Sequence, residues 1–534
     1  MKTNISTYLI ITFLFSITVI LACKSNSSSF RSIYRDANTL MHETQNLRTK
    51  PFLKAHLKNG DVYVLTNAWT IDTLTQIVSG NGVTYDFNRQ QISEGFISVP
   101  IDSVAIFESN QKLHGANGIG GLAILTGLDV VMTIICLTVP KACFGSCPTF
   151  YLNENDNFHY SNAESFSNAI CPSMEYGDID ALNNDQPSNG RFSITMKNEA
   201  LETHCVNEVK LLVYPRHAGE RVYHSPQDDF YLCRNIILAD QAQAAEGNVS
   251  SLLQYEDLNE RFSFADDHNL NSREDIYLEF KDVNTTDPLG LIVSFRQTMM
   301  TTYFIYSAIG YMGDQVGDVF AGIENHPETR KKLAGGLKKE LGKIDIYTWD
   351  SQKQDWVFQN GLYETGPIAV NKQLIPILNS SHESKVRVKM VLNKGLWRID
   401  YVALTEIIKK INPLTVPADE ILKKGKMDPE ALRAMSDSTR YLISMPGDEY
   451  KFSFTLPEVE CDYEIFLYAK GYYLEWMREH WIKDKDLSKF KEMMLNPSQY
   501  LKDEAANYKL YETSMEQEFW DSKIDTKTIS YDEL

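Results

Sequence analysis

The chain has 534 residues, a formal net charge of −19 and 11% aromatic side chains. A chain of this length corresponds to roughly three or four domains, and the high aromatic content favours β structure. The acidic surface repels phosphate backbones, so a nucleic acid is not expected as a partner.

The beginning of the chain predicts a lipoprotein signal. The apolar run Tyr8–Ala22 is too short for an ordinary membrane span and has the length of a signal-peptide core. The sequence Val-Ile-Leu-Ala-Cys that ends at Cys23 resembles a bacterial lipobox, although Ile20 stands where leucine is usual. We therefore expect residues 1–22 to be removed and Cys23 to be lipidated and to anchor the protein in a membrane. A plain secretory signal is the alternative.

The residues after Cys23 predict the compartment. Lys24 and Ser25 stand where an aspartate would retain a lipoprotein in the inner membrane, so we expect an outer-membrane lipoprotein of the cell envelope. No acidic run follows Cys23, which favours the periplasmic face; the cell surface is the alternative. Residues 23–50 begin with a Ser- and Asn-rich stretch and predict a flexible tether.

Residues 51–110 predict a small β roll. Short alternating segments such as Phe52–Leu57 are separated by turn signals, of which Asn59-Gly60 is the strongest. About six strands in so short a stretch are typical of a small roll or barrel.

An apolar, glycine-rich segment follows at residues 111–140. Its run from Gly118 to Val139 contains a single charged residue, Asp129. The run is long enough to span a membrane, but an aspartate within lipid is costly. A membrane-associated helix and a buried or oligomer-forming helix both remain expectations.

Residues 141–240 predict a β domain that contains cysteines. Disulfides are expected in an oxidising periplasm, and the candidate pairs are Cys147–Cys171 and Cys205–Cys233. Spacing alone does not determine the connectivity. The cysteines and histidines lack the close spacing of a zinc site, so no metal and no other cofactor is expected.

One motif carries a family resemblance. Ser146–Pro148, an aromatic strand and then Ala169–Cys171 resemble a family of uncharacterised bacterial lipoproteins and surface proteins. The resemblance extends over most of the chain from Cys143 onward and includes Lys470–Trp476. This chain departs from the family at residues 153–157, where members usually carry a Trp-Asp-Gly type of turn. The resemblance implies an architecture and no particular activity.

The rest of the chain predicts a mixed segment, a second β domain and a tail. In residues 241–330, apolar residues three and four apart predict a glycine-containing helix at 297–324, which ends before Pro327. Alternation in residues 331–470 predicts a sandwich-like domain, and residues 471–534 predict an acidic, mostly helical tail. The expected fold class is therefore mainly β with some α.

The sequence contains neither a Gly-x-Ser-x-Gly nor a His-Glu-x-x-His motif. We therefore expect a membrane-anchored, non-enzymatic binding or assembly scaffold, with other envelope proteins or glycans as partners. The alternative is a hydrolase of envelope polysaccharide or peptide. Its tentative acidic site is Asp314 and Asp318, four residues apart on the predicted helix. Oligomer formation through residues 118–139 is a third expectation.

Overall fold

The computed structural model describes residues 28–44, 50–66, 68–87, 90–113, 147–152, 161–182, 187–284, 286–325, 336–363, 366–379, 383–457 and 462–528. Within these residues the protein is mainly β, with five sheets, a few helices and a helical C-terminal tail. The fold class predicted from sequence is confirmed. The signal peptide, Cys23, the run 118–139 and the turn at 153–157 lie outside the described residues.

The N-terminal sheet has seven antiparallel strands. In spatial order they are Ser28–Tyr34, Val104–Leu113, Leu53–Leu57, Val62–Leu65, Ile77–Tyr85 and Thr70–Asp72, with Gln91–Pro100 also paired to Ile77–Tyr85. The strand Ser28–Tyr34 and the helix Ala37–Thr44 lie where a flexible tether is expected from sequence. That expectation is wrong for residues 28–44, because Tyr34 and Leu40 are buried in the core of this sheet.

Two further sheets pack face to face around one apolar core and form what we call the central sandwich. The first contains, in order, Tyr176–Ala181, Tyr463–Glu475, Glu202–Pro215 and Leu414–Pro417, with Leu442–Ser444 also paired to Glu202–Pro215. The second contains Lys426–Met427, Glu420–Lys423, Glu449–Thr455, Arg191–Lys197, Thr149–Tyr151 and Ala163–Glu164. The sandwich therefore combines strands from the predicted domains 141–240 and 331–470, which share a core instead of folding apart.

The last two sheets share a second core with the C-terminal helices. The barrel-like sheet contains Phe230–Leu238, Glu220–His224, Asn371–Ile377, Leu289–Gln297, Trp397–Ile411 and Arg261–Phe262. It curls back on itself, since Phe230–Leu238 also pairs with Trp397–Ile411. The outer sheet contains Gly247–Asn248, Gln241–Ala244, Arg273–Phe280, Val386–Asn393, Ile344–Asp350 and Asp355–Leu362.

The helices lie between these sheets and along the tail. Beyond Ala37–Thr44 they include Met300–Met312, Val316–Asn325, Pro429–Ser436, Glu479–Lys483, Leu487–Leu495, Pro497–Asp503, Ala505–Lys509 and Met515–Asp521, with short 3-10 turns at Ile101–Ser103, Pro172–Met174, Ser250–Leu252 and Gly313–Gln315. The predicted helix 297–324 is thus two helices. The break falls at Gly313, whose φ of +52° favours glycine. Among the described helices, none combines the length and the apolar character that a membrane span needs.

Candidate functional site

Two glutamates, Glu202 and Glu475, lie directly opposite each other on paired antiparallel strands of the central sandwich. Their exposed fractions are 0% and 3%. Two ionised carboxylates in this position would repel each other away from water, so the pair retains a proton. Burial raises the pKa of Glu475 to about 8 and raises the pKa of Glu202 well above its usual value.

Three polar side chains complete the surroundings of this carboxyl pair. The Nε2 atom of His204 lies 2.7 Å from Oε1 of Glu202. The hydroxyl of Tyr306 donates to Oε1 of Glu475 at 3.0 Å, and Nη2 of Arg478 donates to Oε2 at 3.1 Å. Arg478 therefore balances the one negative charge that the pair carries when it holds a single proton.

A second buried carboxylate, Glu164, lies in the same sandwich. Its Oε1 atom accepts from Sγ of Cys147 at 2.8 Å and from Oγ of Ser167 at 3.0 Å. Its Oε2 atom accepts from the backbone N–H groups of Ile368 and Ala369, at 2.6 and 3.3 Å. Burial and the charge of Glu164 raise the pKa of the Cys147 thiol well above its usual value. The thiol is thus protonated and unsuited to act as a nucleophile.

A cavity of about 20 Å³ adjoins Glu164 and Cys147, and its wall includes Tyr306, which donates to Glu475. It is lined by Cys147, Glu164, Ser167, Thr301, Thr302, Ile305, Tyr306, Pro367, Ile368, Tyr473 and Phe519. This volume is sufficient for about one water molecule. The carboxyl pair can hold a proton, but the cavity has no room for a sugar or a peptide.

A buried ionic cluster connects the N-terminal sheet to the central sandwich. Glu108 accepts from Nε of Arg31 at 2.6 Å, and its Oε2 atom lies 3.8 Å from Nζ of Lys54. His56 lies 3.0 Å from the same Oε2 atom and 2.9 Å from the hydroxyl of Tyr472 in the sandwich. Burial alone would raise the pKa of Glu108, but the charges of Arg31 and Lys54 outweigh it and hold that pKa well below its usual range.

The cysteines differ from the sequence expectation. Cys147, Cys171, Cys205 and Cys233 are all buried, and the predicted disulfides Cys147–Cys171 and Cys205–Cys233 are not formed. Cys147 is hydrogen-bonded to Glu164, whereas Cys171 packs with Tyr306 in a separate apolar cluster. Cys205 and Cys233 belong to different cores. The expected compartment favours disulfides, but the fold places the predicted partners in different clusters.

Asp314 and Asp318 do not form a joint site in the structure. Asp314 makes an ion pair with Lys485, and exposed Asp318 accepts a 2.5 Å hydrogen bond from Nδ2 of Asn110. Neither residue lines the cavity described above, and this placement gives no support to the hydrolase alternative. Among the residues that the structure describes, no group of three or more His, Cys, Asp or Glu side chains could hold a metal ion.

Sequence reasoning missed the carboxyl pair and both buried clusters. Glu202 and Glu475 are 273 positions apart (475 − 202), and each stands alone in a strand pattern. The only local signal is the spacing of Glu202 and His204, which places two polar side chains on one face of a strand.

No family model and no curated protein matches this chain. The function of the protein is therefore inferred from its sequence and its geometry.

Proposed function

We propose that the protein is a membrane-anchored lipoprotein of the bacterial envelope that acts as a non-enzymatic binding or assembly scaffold. The observation that carries this proposal is the pairing of Ser28–Tyr34 with Val104–Leu113. The two strands are antiparallel, and Ser28 lies opposite Leu113. The chain before Ser28 and the chain after Leu113 therefore leave the N-terminal sheet at the same end.

Both membrane-directed stretches of the sequence are attached at this end of the sheet. Cys23 precedes Ser28 by five positions (28 − 23), and Gly118 follows Leu113 by five (118 − 113). Five residues span at most about 18 Å. A lipid on Cys23 and the apolar run 118–139 can therefore meet one membrane surface together. The diacylglyceryl group of a lipoprotein supplies two acyl chains, which give stable anchoring, and contact of the apolar run would add to this attachment.

Buried ion pairs and hydrogen bonds connect the sheets and the C-terminal tail of the protein. Such connections suit a scaffold. The cluster at Glu108 joins the N-terminal sheet to the sandwich, and Glu164 joins the sandwich to the backbone at Ile368. The side chain of Arg296 is 1% exposed and forms ion pairs with Glu260 at 2.6 Å and with Glu516 of the tail at 2.7 Å. Surfaces held in this way keep a fixed geometry for a partner.

The anchoring is tested by labelling cells with an alkyne fatty acid and separating soluble, inner-membrane and outer-membrane fractions. We expect label on the wild type and its loss in Cys23→Ser, with release of most of the protein from the membrane; the nearby variant Ser27→Ala is the control. Label retained in Cys23→Ser, or a wild type without label, would overturn the proposal.

The outer-membrane location is tested separately. Lys24→Asp creates the retention signal that the chain lacks and is expected to move the protein to the inner membrane, whereas Lys24→Gln leaves it in place. Equal distributions for the two variants would contradict an outer-membrane route.

Whether residues 118–139 contact the membrane or another copy is tested by deleting them in the Cys23→Ser background. Loss of residual membrane binding with an unchanged size in solution supports membrane contact. A smaller assembly with unchanged membrane binding supports the oligomer instead.

A further inference from the structure

The outward face of the outer sheet carries five aromatic side chains, which we call the aromatic face: Tyr277, Tyr347, Trp349, Trp356 and Phe358. Alternation along the strands explains their position, because the intervening residues Ile344 and Ile346 are fully buried in the core. Tyr277 is 42% exposed and Phe358 is 53% exposed. Rings exposed together on one face indicate a binding surface more strongly than scattered ones.

The pairing of the strands places these rings beside two basic residues, Arg387 and Lys389, in two neighbouring rows that run across the sheet. In the first row, Lys389 lies opposite Tyr277 on one side and Tyr347 on the other, and Tyr347 lies opposite Phe358. In the second row, Trp349 lies opposite Trp356. The guanidinium of Arg387 lies 4.4 Å from the centre of the Trp349 ring.

Two of the rings also lie close to the ammonium group of Lys389. Its Nζ atom lies 4.7 Å from the centre of the Tyr347 ring and 5.4 Å from that of Trp356. The centres of the Tyr277 and Trp356 rings are 5.7 Å apart. Aromatic faces attract cations but do not neutralise them, so the positive charge remains available at the surface.

Among the described residues, neither Arg387 nor Lys389 forms an ion pair with a carboxylate. The chain has 71 acidic residues against 52 basic ones, so acidic partners are plentiful elsewhere. Glu279, the residue opposite Arg387, bonds Nζ of Lys385 at 2.7 Å instead. Two cations on the aromatic face of a strongly acidic protein suit a ligand that carries a few acidic groups.

We propose that the aromatic face binds a polysaccharide that is mostly neutral and carries isolated carboxylates. The apolar faces of its sugar rings lie on Trp356 and Tyr277, its hydroxyls remain in water, and its carboxylates pair with Lys389 and Arg387. This inference rests on the proposed function and specifies the ligand of the scaffold. A densely charged polymer fits less well, because the net charge of −19 repels it.

The test uses the full chain in detergent micelles, where membrane attachment is not required, and measures binding by calorimetry. The probes are hyaluronan oligosaccharides, xanthan and gellan, with carboxyl-reduced hyaluronan as the neutral counterpart. Oligo-dT and polyglutamate represent nucleic acid and acidic peptide. We expect binding to at least one acidic polysaccharide and about tenfold weaker binding to the carboxyl-reduced form.

Variants locate the binding. Trp356→Ala and Lys389→Met are each expected to weaken binding about tenfold. Phe96→Ala, which removes an aromatic side chain 73% exposed on the N-terminal sheet, is the matched control and should bind normally. Circular dichroism and the thermal midpoint check that the variants are folded.

Three results would overturn the inference: no binding to any polysaccharide probe, equal or tighter binding of oligo-dT or polyglutamate, or equal losses in Phe96→Ala and Trp356→Ala. The failure of this inference is distinguishable from the failure of the proposed function. An acylated protein that binds no glycan contradicts only the inference, and a protein without acylation that binds through Trp356 contradicts only the anchoring.

Discussion

Glu202 and Glu475 face each other across two antiparallel strands, and both carboxyl groups are buried. Because like charges in direct cross-strand contact destabilise a sheet, this pair folds with a proton bound. Tyr306 and Arg478 hold Glu475 in place from a helix and from the chain just after the strand. The protonation of this carboxyl pair is therefore linked to the packing of the helix that carries Tyr306 and of the chain segment that carries Arg478.

Stability is predicted to fall as pH rises toward the alkaline range. The pKa of Glu475 is raised from 4.5 to about 8, so its contribution is complete below pH 4.5 and is lost as pH rises through about 8. The loss amounts to at most about 1.4 kcal/mol per pH unit between these values. Glu475→Gln, which cannot ionise, should flatten this dependence in chemical denaturation from about pH 5 to about pH 9.

The control for this variant is Glu430→Gln, at a side chain 71% exposed on the helix Pro429–Ser436. It should keep the wild-type pH dependence. The same slope in Glu475→Gln and the wild type would rule out the carboxyl pair as its source.

Glu108→Gln is predicted to loosen the N-terminal sheet. The change leaves the guanidinium of Arg31 and the ammonium of Lys54 buried without a carboxylate, which typically costs about 3–5 kcal/mol. Hydrogen exchange of Leu53–Leu57 reports the local opening free energy. Glu94→Gln, on an exposed part of the edge strand, is the control. Similar exchange in both variants would show that the buried cluster contributes little.

The four described cysteines are predicted to react only after unfolding and without any reductant. Burial raises the pKa of Cys171 to about 12 and that of Cys233 to about 12, which leaves little thiolate in the native protein. Alkylation in native buffer and in denaturant, followed by peptide mass spectrometry, measures this difference. A pair of these cysteines that becomes reactive only after reduction would be a disulfide and would contradict the structure.

Local patterns predicted the strands better than their partners. The alternation in Ile344–Asp350 and in Val386–Asn393 is visible in sequence, and both segments are strands. The pairing of Glu202–Pro215 with Tyr463–Glu475 has no local signature, because the pattern of one strand does not identify a partner far away in the chain. For this reason the sequence assigns strands of a single sandwich to two separate predicted domains, residues 141–240 and 331–470.

The candidate site shows the same limit. Asp314 and Asp318 were visible in sequence because helical spacing is local, but each has its own partner in the structure. Glu202 and Glu475 become a pair only when the two strands meet. The disulfide prediction depended on the compartment, which says which bonds are chemically stable and not which thiols lie close together.

Membrane anchoring through Cys23 is tested most directly by mass spectrometry of the N-terminal peptide of the mature protein, purified from membranes. The expected mature chain begins at Cys23, with a diacylglyceryl group on its sulfur. A mature chain that begins at another residue, or an unmodified thiol at Cys23, would contradict the proposal that this protein is a membrane-anchored lipoprotein.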